Sequence, residues 1–347
     1  MRTASKILVF RTGLIITVCL VLGVITVLVI RRPGVPDLPP PVSVSNTVAA
    51  APASRFIPSQ PPAPVALVLA PPPAALSNSP AVLAITGDPH RKVDYTHFRD
   101  ALRALTRDLG PEDVDALMRF LERKAGDQAI MSPIAFNGIK NDVLDVLLLQ
   151  DTLPDGIGTL LVKMYRDRTY DDMWRDYCVQ FMSAYYEVKW PVGVAGQGSG
   201  RHVSGADKER KSIETALRGA LNETSTTIAG TALLGLDSLS RRYDNIDRED
   251  IGRAAMDLLG NPSVGEPARI TAFAVAASLQ LAEALPEARA IAQTGETIPL
   301  QMAAIALIGQ LGEPEDQDLL ASLAWQENPR IKRIVAAALE SLRKRKV

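Results

Sequence analysis

The sequence predicts an all-α chain in three parts: a single N-terminal transmembrane helix, a disordered Pro-rich linker and an α-solenoid of helical hairpins. Gly13 to Ile30 run without one charged side chain, 14 of the chain's 25 prolines fall between Pro33 and Leu83, and beyond residue 90 the apolar residues take up a helical period that repeats.

At a helical rise, residues 13–30 would cover about 27 Å, close to the hydrocarbon thickness of a bilayer. A cleaved signal needs a shorter apolar core and small residues just past it, whereas Val27-Leu28-Val29-Ile30 meets Arg31-Arg32-Pro33. The residues before Cys19 are not those of a lipoprotein box. The expectation is therefore an uncleaved signal-anchor in the cell membrane. Arg2, Lys6, Arg11 and the amino terminus before the span, against Arg31 and Arg32 after it, place the C-terminal domain on the outer, periplasmic or extracytoplasmic side. The alternative is a cytoplasm-facing scaffold, if Arg31-Arg32 sets the opposite orientation.

Pro33 to Leu83 includes a single glycine, and proline both fixes φ and removes an amide donor, so this stretch favours polyproline II over helix or strand. The bland reading is a spacer; the sharper one makes Pro39-Pro40-Pro41 or Pro71-Pro72-Pro73 a docking site for a proline-reading partner.

The whole chain has a net charge of −1, but residues 1–32 hold five basic side chains and no acid, and residues 33–83 only Asp37 and Arg55. That leaves 32 basic and 38 acidic residues for positions 84–347, a net of −6. A mildly acidic domain lacks the basic patch that displaces counterions from nucleic acid, so nucleic acid is excluded as a partner. The run Arg343-Lys344-Arg345-Lys346 suits the negative end of a last helix. Cys19 and Cys178 make no disulfide framework.

Asp94 can cap a helix whose Phe98, Leu102, Leu105 and Leu109 share a face, and Gly110-Pro111 ends it and opens the next. Helices are then predicted over 138–150, 156–168, 171–187, 207–222, 225–242 and 248–260. Residues 267–281, 298–312 and 329–343 align with a period of 31. Between them lie shorter helices, Pro286–Ala292 and Pro314–Trp325, each opened by proline. A repeated hairpin of this size cannot bury its apolar face alone, so copies must stack.

Asn328-Pro329-Arg330-Ile331-Lys332-Arg333 followed by Val335-Ala336-Ala337-Ala338-Leu339 resembles the opening helix of a HEAT repeat of the short bacterial type. Ile308-Gly309-Gln310-Leu311-Gly312 resembles that repeat's closing motif. The resemblance covers residues 225–345 best and 138–190 more loosely, with Glu340 departing from the usual Gly. It implies an armadillo-like stack used as a protein-binding or scaffolding surface.

Sites for chemistry are thin. His90 and His97 lack a third metal ligand. The Gly-rich loop Val192 to Ala206 lacks the Lys and hydroxyl of a phosphate loop. Ser199, Ser204 and His202 lack an acid to orient the imidazole. No cofactor, no metal and no catalytic set are expected, and the chain is read as no enzyme; the alternative is an enzyme or enzyme accessory built on the Gly-rich loop. The stronger candidate is aromatic: Trp174, Tyr177, Phe181 and Tyr185 recur three and four apart, with Trp190 beyond them. The bland reading is a repeat core of large side chains. If exposed, the stripe is the site for a protein or peptide partner, since Tyr and Trp dominate interface hot spots.

The expected organisation is residues 1–32 as cytoplasmic terminus and anchor, 33–90 as linker, 91–190 as degenerate hairpins, 191–206 as the Gly-rich loop and 207–347 as HEAT-like repeats. The expected function is a membrane-anchored scaffold that recruits a protein or peptide through a face built from the second helices of the hairpins.

Overall fold

A computed structural model describes residues 79–87, 95–124, 131–192, 204–294 and 297–345. Chain contacts divide the protein into Met1–Ala74 and Ala75–Val347, and all described residues belong to the second unit. They form α-helices and one short 3₁₀ turn, with no strand among the described residues.

The helices are α1 (Pro80–Thr86), α2 (Tyr95–Arg103), α3 (Pro111–Leu121), α4 (Pro133–Leu148), α5 (Ile157–Arg166), α6 (Asp172–Lys189) and α7 (Ser204–Ala220). They continue with α8 (Ile228–Ser240), α9 (Arg248–Gly260), α10 (Glu266–Leu279), the 3₁₀ turn Ala282–Ala284, α11 (Leu285–Thr294), α12 (Ile298–Leu311), α13 (Asp316–Leu323) and α14 (Pro329–Arg345). Local chemistry starts many of them. Ser132, Asp171 and Thr297 accept the amide hydrogens of Ala135, Trp174 and Leu300, and prolines stand in the first turns of α1, α3, α4, α10 and α12.

Packing arranges the helices as a solenoid-like ladder. α4, α6, α8, α10, α12 and α14 form one row in which each packs on the next, and α5, α7, α9, α11 and α13 connect them. The row is close-packed because small residues sit at the crossings. A Cβ on Gly309 of α12 would lie 2.8 Å from the Cα of Ala338 in α14. On Gly230 it would lie 3.2 Å from the Cα of Ala268 in α10, and on Gly235 2.1 Å from Ser183 Oγ in α6.

Three sequence expectations are corrected here. The fold class is all-α without the transmembrane helix: among the described residues no helix is long and apolar enough to cross a membrane. The longest, α6, carries Asp172, Arg175, Asp176, Glu187 and Lys189, while the uncharged α12 covers only about 21 Å against the ~30 Å of a hydrocarbon core. The expected single-pass location at the cell membrane falls with it, and residues 13–30, on which both expectations rested, lie outside the described residues. The linker expected over 33–90 contains α1, since Ser79 caps it and Val82 and Ile85, three apart, are buried against α2 and α3. Residues 33–78 and 88–90 lie outside the described residues.

Two helix ends also move, through tertiary contacts. α2 stops at Arg103 rather than Leu109, because Gln150 at the end of α4 takes the Leu109 amide at 2.9 Å and donates to the Thr106 carbonyl at 3.1 Å. α13 begins at Asp316 rather than Pro314, since the Asp316 carboxylate accepts the Glu313 amide at 2.7 Å and pairs with Arg289.

The crossings yield a test. Gly309→Val should lower stability by about 2–3 kcal/mol through overpacking against backbone. Gly138→Ala, inside α4 with open space around its Cβ position, should raise it by about 0.5–1 kcal/mol. Urea unfolding midpoints of the two variants moving in the same direction would contradict this account.

Candidate functional site

α6 is enclosed by α4, α5, α7 and α8, and this decides the fate of its aromatic residues. Trp174 and Tyr185 are 0 % exposed and Phe181 is 5 % exposed. These three belong to the core, which corrects their place in a partner-binding stripe; Tyr177 and Trp190 are half-buried and reach solvent. The physical reason is that Trp174, Phe181 and Tyr185, seven and four apart, fall on the side of α6 on which the neighbouring helices close, and Tyr177 falls off it.

The buried aromatics are held by charge. Lys140 Nζ lies 3.7 Å from the centre of the Trp174 ring and donates to the Arg123 carbonyl at 2.9 Å. Tyr185 donates to Glu209 Oε2 at 3.0 Å, and Tyr186 donates to Glu214 Oε1 at 2.7 Å. Tyr186 Oη also accepts from Arg210 Nε at 2.6 Å and Asn245 Nδ2 at 3.0 Å. Trp190 meets Tyr185 and Tyr186 edge-on, and its carbonyl accepts from Tyr243 Oη at 2.8 Å. Burial, ahead of the acidic neighbours, pushes the Tyr185 phenol well up and Tyr243 to about 12.

Beside this cluster Arg175 is 2 % exposed and held by several partners: Nε donates to the Tyr165 carbonyl at 2.9 Å, one terminal nitrogen to Asp172 at 2.9 Å and the other to both Glu223 oxygens at 2.6 Å. Burial alone would raise the Glu223 carboxyl, but hydrogen bonds from Arg175 and Tyr165 and the Arg175 and Arg168 charges hold it below its usual range. The group ties α5, α6 and the turn before α8 together. Asp176 is the opposite case. Burial raises its carboxyl despite hydroxyls from Thr231 and Thr227, and its Oδ1 has no partner. Burial likewise drives the free Cys178 thiol well up, which makes it a poor nucleophile.

Of the other sequence candidates, His97 is exposed on α2, while His90, Ser199 and His202 lie outside the described residues; Ser204 opens α7. Among the described residues no three His, Cys, Asp or Glu side chains could hold a metal ion.

The feature that the aromatic stripe obscured is on the solvent side of the row. Tyr177, Gln180 and Ala184 on α6, Thr231, Leu234 and Ser238 on α8, Thr271, Ala274 and Ser278 on α10, and Ala303, Ala306 and Gln310 on α12 all touch solvent at the same three- and four-residue intervals. None is charged. In a chain that is 22 % charged residues, with charge gathered at the surface, a merely solvated face would carry several. The exposed apolar Met173 and Val188 of α6 continue this spacing. A scan for helical faces lacking charge, rather than rich in aromatics, would have found it.

No protein-family model matches the chain, and no curated protein matches it. Among solved structures it is similar to human deoxyhypusine hydroxylase in complex with glycerol, at 17 % identity, over 76 % of this chain and 95 % of that chain, with a TM-score of 0.30. The expectation that the chain is no enzyme is not upheld, the matched protein being by name a hydroxylase. An overlap of this extent establishes no shared activity, substrate or metal.

Two measurements separate core from surface here. Trp174→Ala should cost about 3–5 kcal/mol of stability, whereas Trp325→Ala, on a side chain 87 % exposed, should change it by less than about 0.5 kcal/mol; equal losses would refute the placement. For Asp176 the sign is set by its raised folded-state pKa: the protonated form is favoured in the fold, so stability is full below the ordinary value of 3.8 and is lost as pH rises through the folded value. Asp176→Asn should therefore be more stable than the parent at pH 7, the gap closing toward about pH 4; a gap independent of pH would rule this out.

Proposed function

We propose that the chain is a HEAT-like helical-repeat scaffold, with repeat units over residues 91–190 and 207–347, that binds a protein or peptide partner along the uncharged side of the α6, α8, α10 and α12 row. The observation that supports the reading is the line of uncharged, solvent-touching positions from Tyr177 on α6 to Gln310 on α12, bordered by Glu187 and Arg241, which bond Ser238 and Ser278. Small and uncharged side chains let a partner's backbone or aliphatic groups approach without stripping water from ions, which would cost several kcal/mol for each charge left unpaired. The same surface is carried by the first helices of the repeated pairs, not by the second ones. Tyr177 marks its aromatic end, where a half-buried ring supplies the kind of anchor that interfaces favour.

The test places a photo-crosslinking amino acid at position 274 or 306, on the row, and at position 253 on the exposed side of α9, in the full chain. Partner adducts are expected from 274 and 306 only. Ala306→Lys, with an unchanged helical signal and melting temperature, should weaken capture of that crosslinked partner by about tenfold or more, the scale of one unpaired charge in a desolvated contact. Equal adducts from position 253, or undiminished capture by the folded variant, would reject the row as the binding side.

A further inference from the structure

On α8 the uncharged line of the row runs into a cation. Arg241 follows Thr231, Leu234 and Ser238 at the same three- and four-residue steps and caps the C-terminal end of the helix. Its side chain crosses to α10. Nη2 donates to Asp237 Oδ2 at 2.5 Å and to Ser278 Oγ at 2.6 Å, and Ser278 donates to the same Asp237 oxygen at 3.3 Å. The Asp237 side chain that anchors this guanidinium is 2 % exposed, whereas that of Arg241 is 53 % exposed. Its Nε and Nη1 have no hydrogen-bond partner among the described residues.

The neighbouring crossing is built alike. Glu187 of α6 accepts from Ser238 at 3.1 Å and pairs with Arg242 at 3.4 Å, the arginine again the more exposed of the two. The anions lie underneath and the cations reach water, so this border presents positive charge. Asp244 and Asp247 lie in the turn that leads off to α9, which Asp247 caps. A cation at the C-terminal end of a helix also complements its dipole, but either arginine satisfies that. Only Arg241 is pinned through one nitrogen by partners on two row helices. Held in this way, it has less side-chain freedom to lose when its remaining donors take an anion.

The bond to Ser278 places Arg241 between α8 and α10, the middle of the four-helix row. Axes of packed helices about 8–10 Å apart make the row about 27 Å across, the length of roughly eight extended residues. A segment lying across all four helices passes Arg241 at its centre whichever way it runs. It therefore meets the guanidinium with a side chain and not with a chain end. We propose, resting on the row as the binding side, that the partner segment is an extended peptide with an Asp or Glu near its centre, whose carboxylate Arg241 takes.

Selection of random peptides of about nine residues on the full chain tests it, the row binders being those whose capture Ala306→Lys weakens. Among these, Asp or Glu should be enriched at the central positions. A selected peptide should bind about fivefold more tightly than its counterpart with Gln or Asn there, the scale of one exposed charge pair. Arg241→Gln should abolish that ratio and still bind the uncharged counterpart as the parent does. Arg242→Gln, which removes the same charge from the same helix end, should keep it. If Asp237 without its ion partner unfolds the single variant, the double variant Asp237→Asn, Arg241→Gln carries the same test. Row binders without a central acid, a ratio that survives Arg241→Gln, or one lost equally in Arg242→Gln would overturn this role of Arg241 and leave the row standing. Selected peptides indifferent to Ala306→Lys would overturn both.

Discussion

Close approach of the row helices is the constraint on which the rest of the structure depends. Helix axes can draw together at the Gly235 and Ser183, Gly230 and Ala268, and Gly309 and Ala338 crossings only because no larger side chain intervenes. Once they do, the middle helices α8, α10 and α12 are enclosed on most sides and must be apolar or small almost throughout, as α12 is with no charged residue in its 14. The crossing geometry and the composition of these helices are therefore one fact seen twice.

The larger, more polar part of the stack around α6 is held differently. There the space between helices is wide enough for Trp174, Tyr185 and Tyr186, and polar groups buried with them require partners. Arg175 with Glu223, Lys140 with the Arg123 carbonyl, and the tyrosine hydroxyls with Glu209 and Glu214 supply them. Removing one member of such a set leaves a buried charge unpaired, so the region is specified by its hydrogen bonds as much as by its volume. Gly158 reports how tight even this part is, because a Cβ there would lie 2.6 Å from the Tyr185 ring.

Much of this was legible along the chain. α9 has the same ends, 248 and 260, in sequence and structure, since Asp247 caps it and the apolar period stops at Gly260. The 31-residue period appears as α10, α12 and α14. α1 was hidden because its neighbours are prolines and its justification, the burial of Val82 and Ile85 on α2 and α3, is not local. The aromatic residues were found but not their depth: periodicity groups Trp174, Phe181 and Tyr185 on one side of a helix, and only the helices around α6 determine whether that side faces water.

The sequence by itself determined the all-helical class, the positions of most helices and their repetition, because capping side chains, prolines and apolar spacing act within a few residues of one another. The tertiary structure alone decided where α2 ends and α13 begins, which residues form the core of α6, and which side of the row meets solvent. Those outcomes rest on contacts between residues tens of positions apart, such as Gln150 with Leu109 and Lys140 with Trp174, and spacing along one helix carries no record of what packs against it.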